Sequence, residues 1–320
     1  MDKEIATYRS LTFADSTKRS YASHKRSYLS FCLAMGYPPV PVSQVNLARY
    51  SAFLARRLSP NSINKYLNII RILHLELGFP DPLKENWMLN TVLKGVARLK
   101  GLQIHRKLPI SPSLLLGIRK RLNLGTLHDS VFWAICLVAF FAFFRKSNLL
   151  PPSNKTFDPT KHLCRRDITI FRGGIQVQVR WSKTIQFAER LLYVPLPDLG
   201  NHPLCPVRAV LHAFAFTRGA PLRGSAFVLP TKTGWTSFPP SRFIKILRAH
   251  IKALGLKGGD YSGHSFRRGA ASWALQNGLP GEIIKILGDW KSDTYLNYLS
   301  LDHCTKFESI SRFASGLPRF

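Results

Sequence analysis

His264 and Arg267 stand three residues apart in Gly263-His264-Ser265-Phe266-Arg267-Arg268-Gly269-Ala270-Ala271. That spacing puts both on one face of a helix whose small residues let it pack closely. A guanidinium offers a planar fork of donors that matches phosphate oxygens, and an imidazole takes or shares a proton near neutral pH. Taken alone, such a pair is also what an ordinary helix surface carries. Arg145 follows the most apolar run of the chain, residues 131–144, and reads as the terminus of a buried helix in Phe141-Ala142-Phe143-Phe144-Arg145-Lys146-Ser147-Asn148. A cation there is equally well a solvated helix cap. Tyr298 closes Leu287-Gly288-Asp289-Trp290-Lys291-Ser292-Asp293-Thr294-Tyr295-Leu296-Asn297-Tyr298, thirty-one residues after Arg267, and a lone tyrosine on an amphipathic helix is most simply a packing residue. As a set these side chains suit one reaction. Breaking a phosphodiester without a metal requires a nucleophile, donors for the charge on the phosphoryl oxygens, a base for the nucleophile and an acid for the leaving oxygen.

The elements that must position them fall into two parts. Residues 15–100 read as helical throughout: Tyr21, Lys25, Tyr28, Phe31 and Cys32 recur at helical intervals, Val45, Ala48, Ala52 and Leu54 mark a second helix, and Ser59-Pro60 opens a third through Ile63, Leu67, Ile70 and Leu73. A fourth helix spans 85–99. Periodicity breaks over 100–111, where Gly101, His105, Arg106, Lys107 and Pro109 suggest a basic linker. Beyond it come helices at 112–122 and 129–144. A β-hairpin follows over 167–171 and 175–181 around Gly173-Gly174, with Val177 and Val179 alternating against Gln176 and Gln178, and then a third strand at 191–194 after the Ser182-Lys183-Thr184 turn. Helices return at 206–217, 240–254, 264–277, 280–287 and 292–299.

Composition narrows the setting. The chain of 320 residues carries 46 Lys plus Arg against 17 Asp plus Glu, a formal charge of +29, while 45% of it is hydrophobic. A chain that can build a core and still tolerates that much self-repulsion points to a polyanionic partner. Cys32, Cys136, Cys164, Cys205 and Cys304 form no CxxC pair, and neither they nor the histidines show metal-site spacing. No metal, cofactor or disulfide framework is expected. The first ten residues lack the apolar stretch of a signal peptide, and the apolar run at 131–144 is shorter than the roughly 20 residues a membrane helix needs. An intracellular protein with no membrane partner is the expectation.

The order of these pieces resembles the tyrosine recombinase, or phage integrase, family over essentially the whole chain: a buried helix leading to Arg145, a hairpin carrying Lys183, the His264 and Arg267 pair, then Leu287-Gly288 with Trp290, and Tyr298 near the end. In the details of 264–271 and 288–298 it resembles recombinases of eukaryotic mobile elements of the DIRS, Ngaro and crypton types. The resemblance implies a mainly α fold with a small antiparallel β-sheet. A helical, SAM-like core-binding domain would occupy 1–102, a basic linker 103–111, and a catalytic domain with a C-terminal tail 112–320. It implies that Arg145 and Arg267 clamp the non-bridging oxygens of the scissile phosphate. Lys183 would protonate the departing 5′ oxygen, His264 would accept or relay the proton of Tyr298, and Trp290 would support the phosphate through its indole N–H. The activity implied is site-specific, cofactor-free recombination through a 3′-phosphotyrosyl intermediate, integrating or excising a mobile element. The implied partner is double-stranded DNA, held by a homo-tetramer on two sites, with the tail containing Phe307, Ile310, Phe313 and Leu317 packed on a neighbouring protomer. A eukaryotic host would imply the nucleus.

Four points depart from the family pattern or leave a choice. Asn148 stands where the family often has Glu or Asp, and Asp289 stands where it has His or Trp, with Trp290 one residue later. Tyr295 competes with Tyr298 as nucleophile, and Lys232 with Lys183 as acid. Three other readings stay open: a catalytically silent DNA-binding protein derived from such a recombinase, a type IB topoisomerase-like strand transferase, and a generic basic RNA-binding protein.

Overall fold

The computed structural model describes residues 1–102, 106–187, 189–299, 307, 310 and 311. Cys304, Phe313 and Leu317 lie outside the described residues. The chain forms two compact units, Met1–His105 and Arg106–Phe320.

The first unit is helical: α1 (Asp2–Leu11), α2 (Asp15–Met35), α3 (Gln44–Ala55), α4 (Pro60–Glu76) and α5 (Trp87–Lys100). Its boundaries have local causes. Gly36, at φ 66°, closes α2; Ser43 and Asn86 cap α3 and α5 by accepting from Asn46 N and Leu89 N; and Pro60 fills the first position of α4, where no N–H is needed. The apolar periodicity of the sequence becomes the core, with Tyr28, Phe31, Leu47, Tyr50, Ile63, Leu67 and Ile70 packed together. Burying a side chain such as Ile63 contributes about 1.5–3 kcal/mol. The periodicity gives no sign of α1, which buries none of its residues.

The second unit is built around α7 (Leu127–Phe141), in which every residue from Ser130 to Phe140 is buried. Around it lie α6 (Pro112–Arg119), α8 (Lys146–Leu149), α9 (Pro206–Phe216), α10 (Pro240–Ala253), α11 (Gly263–Gln276) and α12 (Gly281–Leu287). Strands β1 (Ile168–Phe171), β2 (Gly174–Val179) and β3 (Leu192–Pro197) form an antiparallel sheet in that order, with Ile168 opposite Val177 and Val177 opposite Val194. Ile175, Val177 and Val179 are buried, while Gln176 and Gln178 are only partly so. That is the alternation read from the sequence.

Four expectations require correction. The buried helix stops at Phe141, short of Arg145, because Phe143 takes a left-handed φ of 54° and the N–H groups of Phe143 and Phe144 turn back to Phe140 and Ala139. Arg145 is therefore the N-cap residue of α8. The expected helix at 292–299 is instead a 3-10 turn, Asp293–Asn297, leading to Tyr298. An unforeseen hairpin, β4 (Val228–Thr231) and β5 (Gly234–Ser237), carries Lys232 at its tip, so lying between two strands does not separate Lys232 from Lys183. Its strands are four residues long and one contains Pro230, which hides the strand signal. Finally, residues 106–111 of the expected linker are part of the second unit: Leu108 N and Ile110 N donate to Asp260 O and Ser265 O, and Ile110 is fully buried.

Candidate active site

Arg267 is the most deeply buried cation among the described residues of the second unit, 2% exposed in the middle of α11. Two helix ends hold it. The Schellman turn that closes α7 aims the carbonyl of Phe143 at Arg267 Nη1, 2.6 Å away. At the end of α12 a second turn of the same type has Asp289 at φ 52° and N–H groups of Asp289 and Trp290 returning to Ile286 and Lys285; the Gly288 carbonyl accepts from Arg267 Nη2. Helix C-termini carry partial negative charge, so both ends favour a cation at this point. Neither turn has glycine in its left-handed position, a conformation that costs an L-residue about 1–3 kcal/mol. The guanidinium lies over the Trp290 ring at 3.8 Å and near the Tyr298 ring at 5.6 Å. Gly288 is needed for this stack, because a Cβ there would come within 1.5 Å of the Trp290 ring.

The remaining sequence candidates converge on the same place. Arg145 and Asn148 border a narrow recess with Thr184, Arg267 and Asp289. Asn148 Oδ1 accepts from the Arg145 backbone N–H at 3.0 Å, so it fixes the backbone that carries Arg145 and forms no ion pair. Burial and then the Arg145 charge push Arg267 down to about 9, while Tyr298 and Asp289 act in the opposite direction. It remains a cation at neutral pH. His264, in the first turn of α11, keeps an exposed edge. Packing around its ring, then the charges of Arg145, Arg267, Lys146 and Lys183, hold its pKa below the ordinary histidine value. Lys183 thus lies within electrostatic reach of His264.

Trp290 and Tyr298 complete the cluster, with ring centroids 5.2 Å apart. The indole Nε1 of Trp290 and the Nε of Arg267 are buried without a hydrogen-bond partner. Two unsatisfied buried donors side by side are costly and suit an incoming acceptor. Of the two tyrosines, Tyr295 is 9% exposed and its hydroxyl faces Gly281, where an added Cβ would come within 2.8 Å of it. Tyr298 is half-buried, and its ring lies 5.6 Å from the Arg267 guanidinium, on which its charge acts.

Sequence reasoning missed the groups that anchor this cluster. Arg106 and Arg268 both donate to the Asn297 carbonyl, at 3.2 and 3.1 Å, and Ser272 Oγ donates to the Tyr298 carbonyl at 3.3 Å. They fix the backbone on either side of the Tyr298 peptide. Arg106 lay in what read as linker, and only the packing of 106–111 against α11 reveals its role. Among the described residues, no group of His, Cys, Asp and Glu is arranged to hold a metal ion, and no helix is long and apolar enough to cross a membrane.

No family model matches the chain. The integrase/recombinase xerD homolog of Selenomonas ruminantium is 24% identical over 309 residues, covering 93% of this chain and 85% of that protein. Among solved structures, the Tn1549 transposon integrase in complex with transposon right end DNA aligns with a TM-score of 0.61 at 13% identity over 95% of each chain. The XerH site-specific recombinase bound to difH substrate aligns at 0.59 and 13% identity, over 92% of this chain and 78% of that one. A lambda integrase dimer bound to a COC′ core site aligns at 0.54 and 15% identity over 93% of each. At these identities the structural likeness establishes the shared fold, mainly helical with small antiparallel sheets.

Proposed function

We propose that this chain is a tyrosine recombinase, a metal-independent DNA strand transferase whose nucleophile is Tyr298. One observation carries the reading: a buried guanidinium, stacked on an indole and 5.6 Å from the Tyr298 ring, is repelled by a second guanidinium and has no carboxylate within ion-pair distance among the described residues. Such a site is short of an anion, and a phosphodiester supplies one with the matching geometry. The xerD homolog and the DNA-bound integrases and recombinase support the same conclusion.

In the reaction, Arg145 and Arg267 bind the non-bridging oxygens and Trp290 Nε1 adds a third donor. The Tyr298 oxygen attacks phosphorus while His264 takes its proton. The bond from phosphorus to the 5′ oxygen breaks, and Lys183 gives that oxygen its proton. The products are a 3′-phosphotyrosine and a free 5′ hydroxyl, and attack by a 5′ hydroxyl from a partner strand reverses each step. Bond types are conserved, so no energy source is required. The charge of +29 suits double-stranded DNA. Our finer reading is a homo-tetramer on two DNA sites that integrates or excises a mobile element. The resemblance of 264–271 and 288–298 to recombinases of eukaryotic mobile elements favours that kind of host and, with it, the nucleus.

The test is a nicked suicide substrate incubated without magnesium. Wild type and Tyr295→Phe are expected to form a covalent protein–DNA adduct and Tyr298→Phe none. An adduct that survives in Tyr298→Phe but vanishes in Tyr295→Phe would move the nucleophile, and no adduct from any form on cognate ends would overturn the enzymatic reading.

A further inference from the structure

We infer that Asp289 is a positioning residue for the general acid: it latches the loop carrying Lys183 onto the end of α12. The inference rests on the recombinase reading for its function, but its geometry stands apart from it. Trp290 and Asp289 are neighbours in one Schellman turn and point opposite ways, the indole toward Arg267 and the carboxylate toward the loop between β2 and β3. Asp289 Oδ2 accepts from the Thr184 hydroxyl at 2.6 Å, and its other oxygen pairs with Arg190. Lys291 reaches Glu189 at 3.3 Å, a third tie between the same two segments. Lys183 and Thr184 are the central residues of a tight turn closed by hydrogen bonds between Ser182 and Ile185 at 3.0 and 3.2 Å. Holding Thr184 therefore fixes the Cα of Lys183 one residue away.

The latch is needed because Lys183 itself is exposed. An ammonium on four methylenes protonates a leaving oxygen efficiently only when its backbone is placed within hydrogen-bond reach. The carboxylate is 16% exposed at its side chain, so its bonds to Thr184 and Arg190 are poorly screened by solvent. The alternative role for Asp289 is that of a counter-ion to Arg267, on which its charge acts. The two roles differ in the step they serve: one assists departure of the 5′ oxygen and the other binds the phosphate.

Asp289→Gly is the discriminating variant, because glycine adopts the left-handed φ of this position without strain and the fold is kept. Cleavage of all-oxygen DNA is expected to slow about 10- to 100-fold, part of what a general acid supplies. On a substrate with sulfur in place of the scissile 5′ oxygen, whose leaving group needs no proton, the variant should regain the wild-type rate. Lys183→Ala should behave in the same way, and Lys183→Ala with Asp289→Gly should be no slower than Lys183→Ala alone. Thr184→Val should show a smaller defect of the same kind. An Asp289→Gly defect that persists on the sulfur substrate would assign Asp289 to Arg267 and overturn the latch, as would a wild-type rate on ordinary DNA. If wild type forms no adduct, the recombinase reading fails instead, and amide exchange still tests the latch. Exchange at Ile185 should accelerate in Asp289→Gly, and unchanged exchange would remove the latch.

Discussion

Packing around the His264 ring, then the charges of Arg145, Arg267, Lys146 and Lys183, make this imidazole give up its proton more readily than one in water. His264 is therefore neutral at physiological pH, the state that its proposed role of accepting the phenol proton requires. The rate of cleavage should rise with pH through an inflection below the ordinary histidine value of 6.5 and be flat by neutrality. His264→Gln should lower the plateau and erase that inflection; a His264→Gln profile that keeps the same acid limb would assign the titration elsewhere. The stability effect has the same sign. A folded-state pKa below the unfolded one means that the unfolded chain binds more protons, so this contribution is present above about 6.5 and lost on acidification. At this scale the sequence was informative about residue types and order: the structure groups Arg145, Arg267, Trp290 and Tyr298, with His264 and Lys183 within electrostatic reach, while their catalytic roles remain proposals. It could not choose between Asp289 and Trp290, because which way each of two consecutive side chains points depends on a left-handed turn that no glycine announces.

Helices hold the cluster by their ends, and Gly263, Gly269 and Gly288 are among the glycines that allow close approach. In α11, a Cβ on Gly269 would lie 1.8 Å from the Ile110 carbonyl, backbone against backbone, with no rotamer to relieve it. Gly269→Ala should cost about 3 kcal/mol, the upper part of the range for overpacking, and lower the melting temperature of the second unit. Gly288→Ala meets only the Trp290 side chain, which can swing away, so its cost in stability should be smaller, about 1 kcal/mol. That movement takes the indole off Arg267, and cleavage should fall more than stability does. Near-ultraviolet circular dichroism and adduct yield measure the two effects; wild-type cleavage by Gly288→Ala would show that the stack is dispensable. Gly263 packs in the same way against the Lys146 side chain. The small-residue run 269–271 showed in the sequence that α11 is closely packed. What it packs against, the segment 106–111, was masked by Arg106, Lys107 and Pro109, whose character suggested a linker.

The whole molecule separates two electrostatic tasks that respond differently to salt. Most of its 46 Lys and Arg residues outnumber any acidic partner and can release counterions from a phosphate backbone, whereas Arg267 is enclosed at 2% exposure. Neutralising six to ten phosphates would weaken DNA binding by roughly 10³- to 10⁵-fold between about 50 and 200 mM salt. Ions screen exposed charges over about 8–10 Å but hardly reach a group enclosed by protein. Affinity for DNA should therefore fall steeply with salt, while the single-turnover cleavage rate at saturating DNA stays nearly constant over the same range. Titration by fluorescence anisotropy gives the first quantity and quenched suicide-substrate cleavage the second. The charge that drives the binding slope was legible in composition alone, but the insulation of the chemical step was not, since it depends on two helix ends closing around one guanidinium. If the cleavage rate of fully bound DNA fell in parallel with affinity, the phosphate would be held by exposed cations, and Arg267 would be a structural residue of α11 with no part in the reaction.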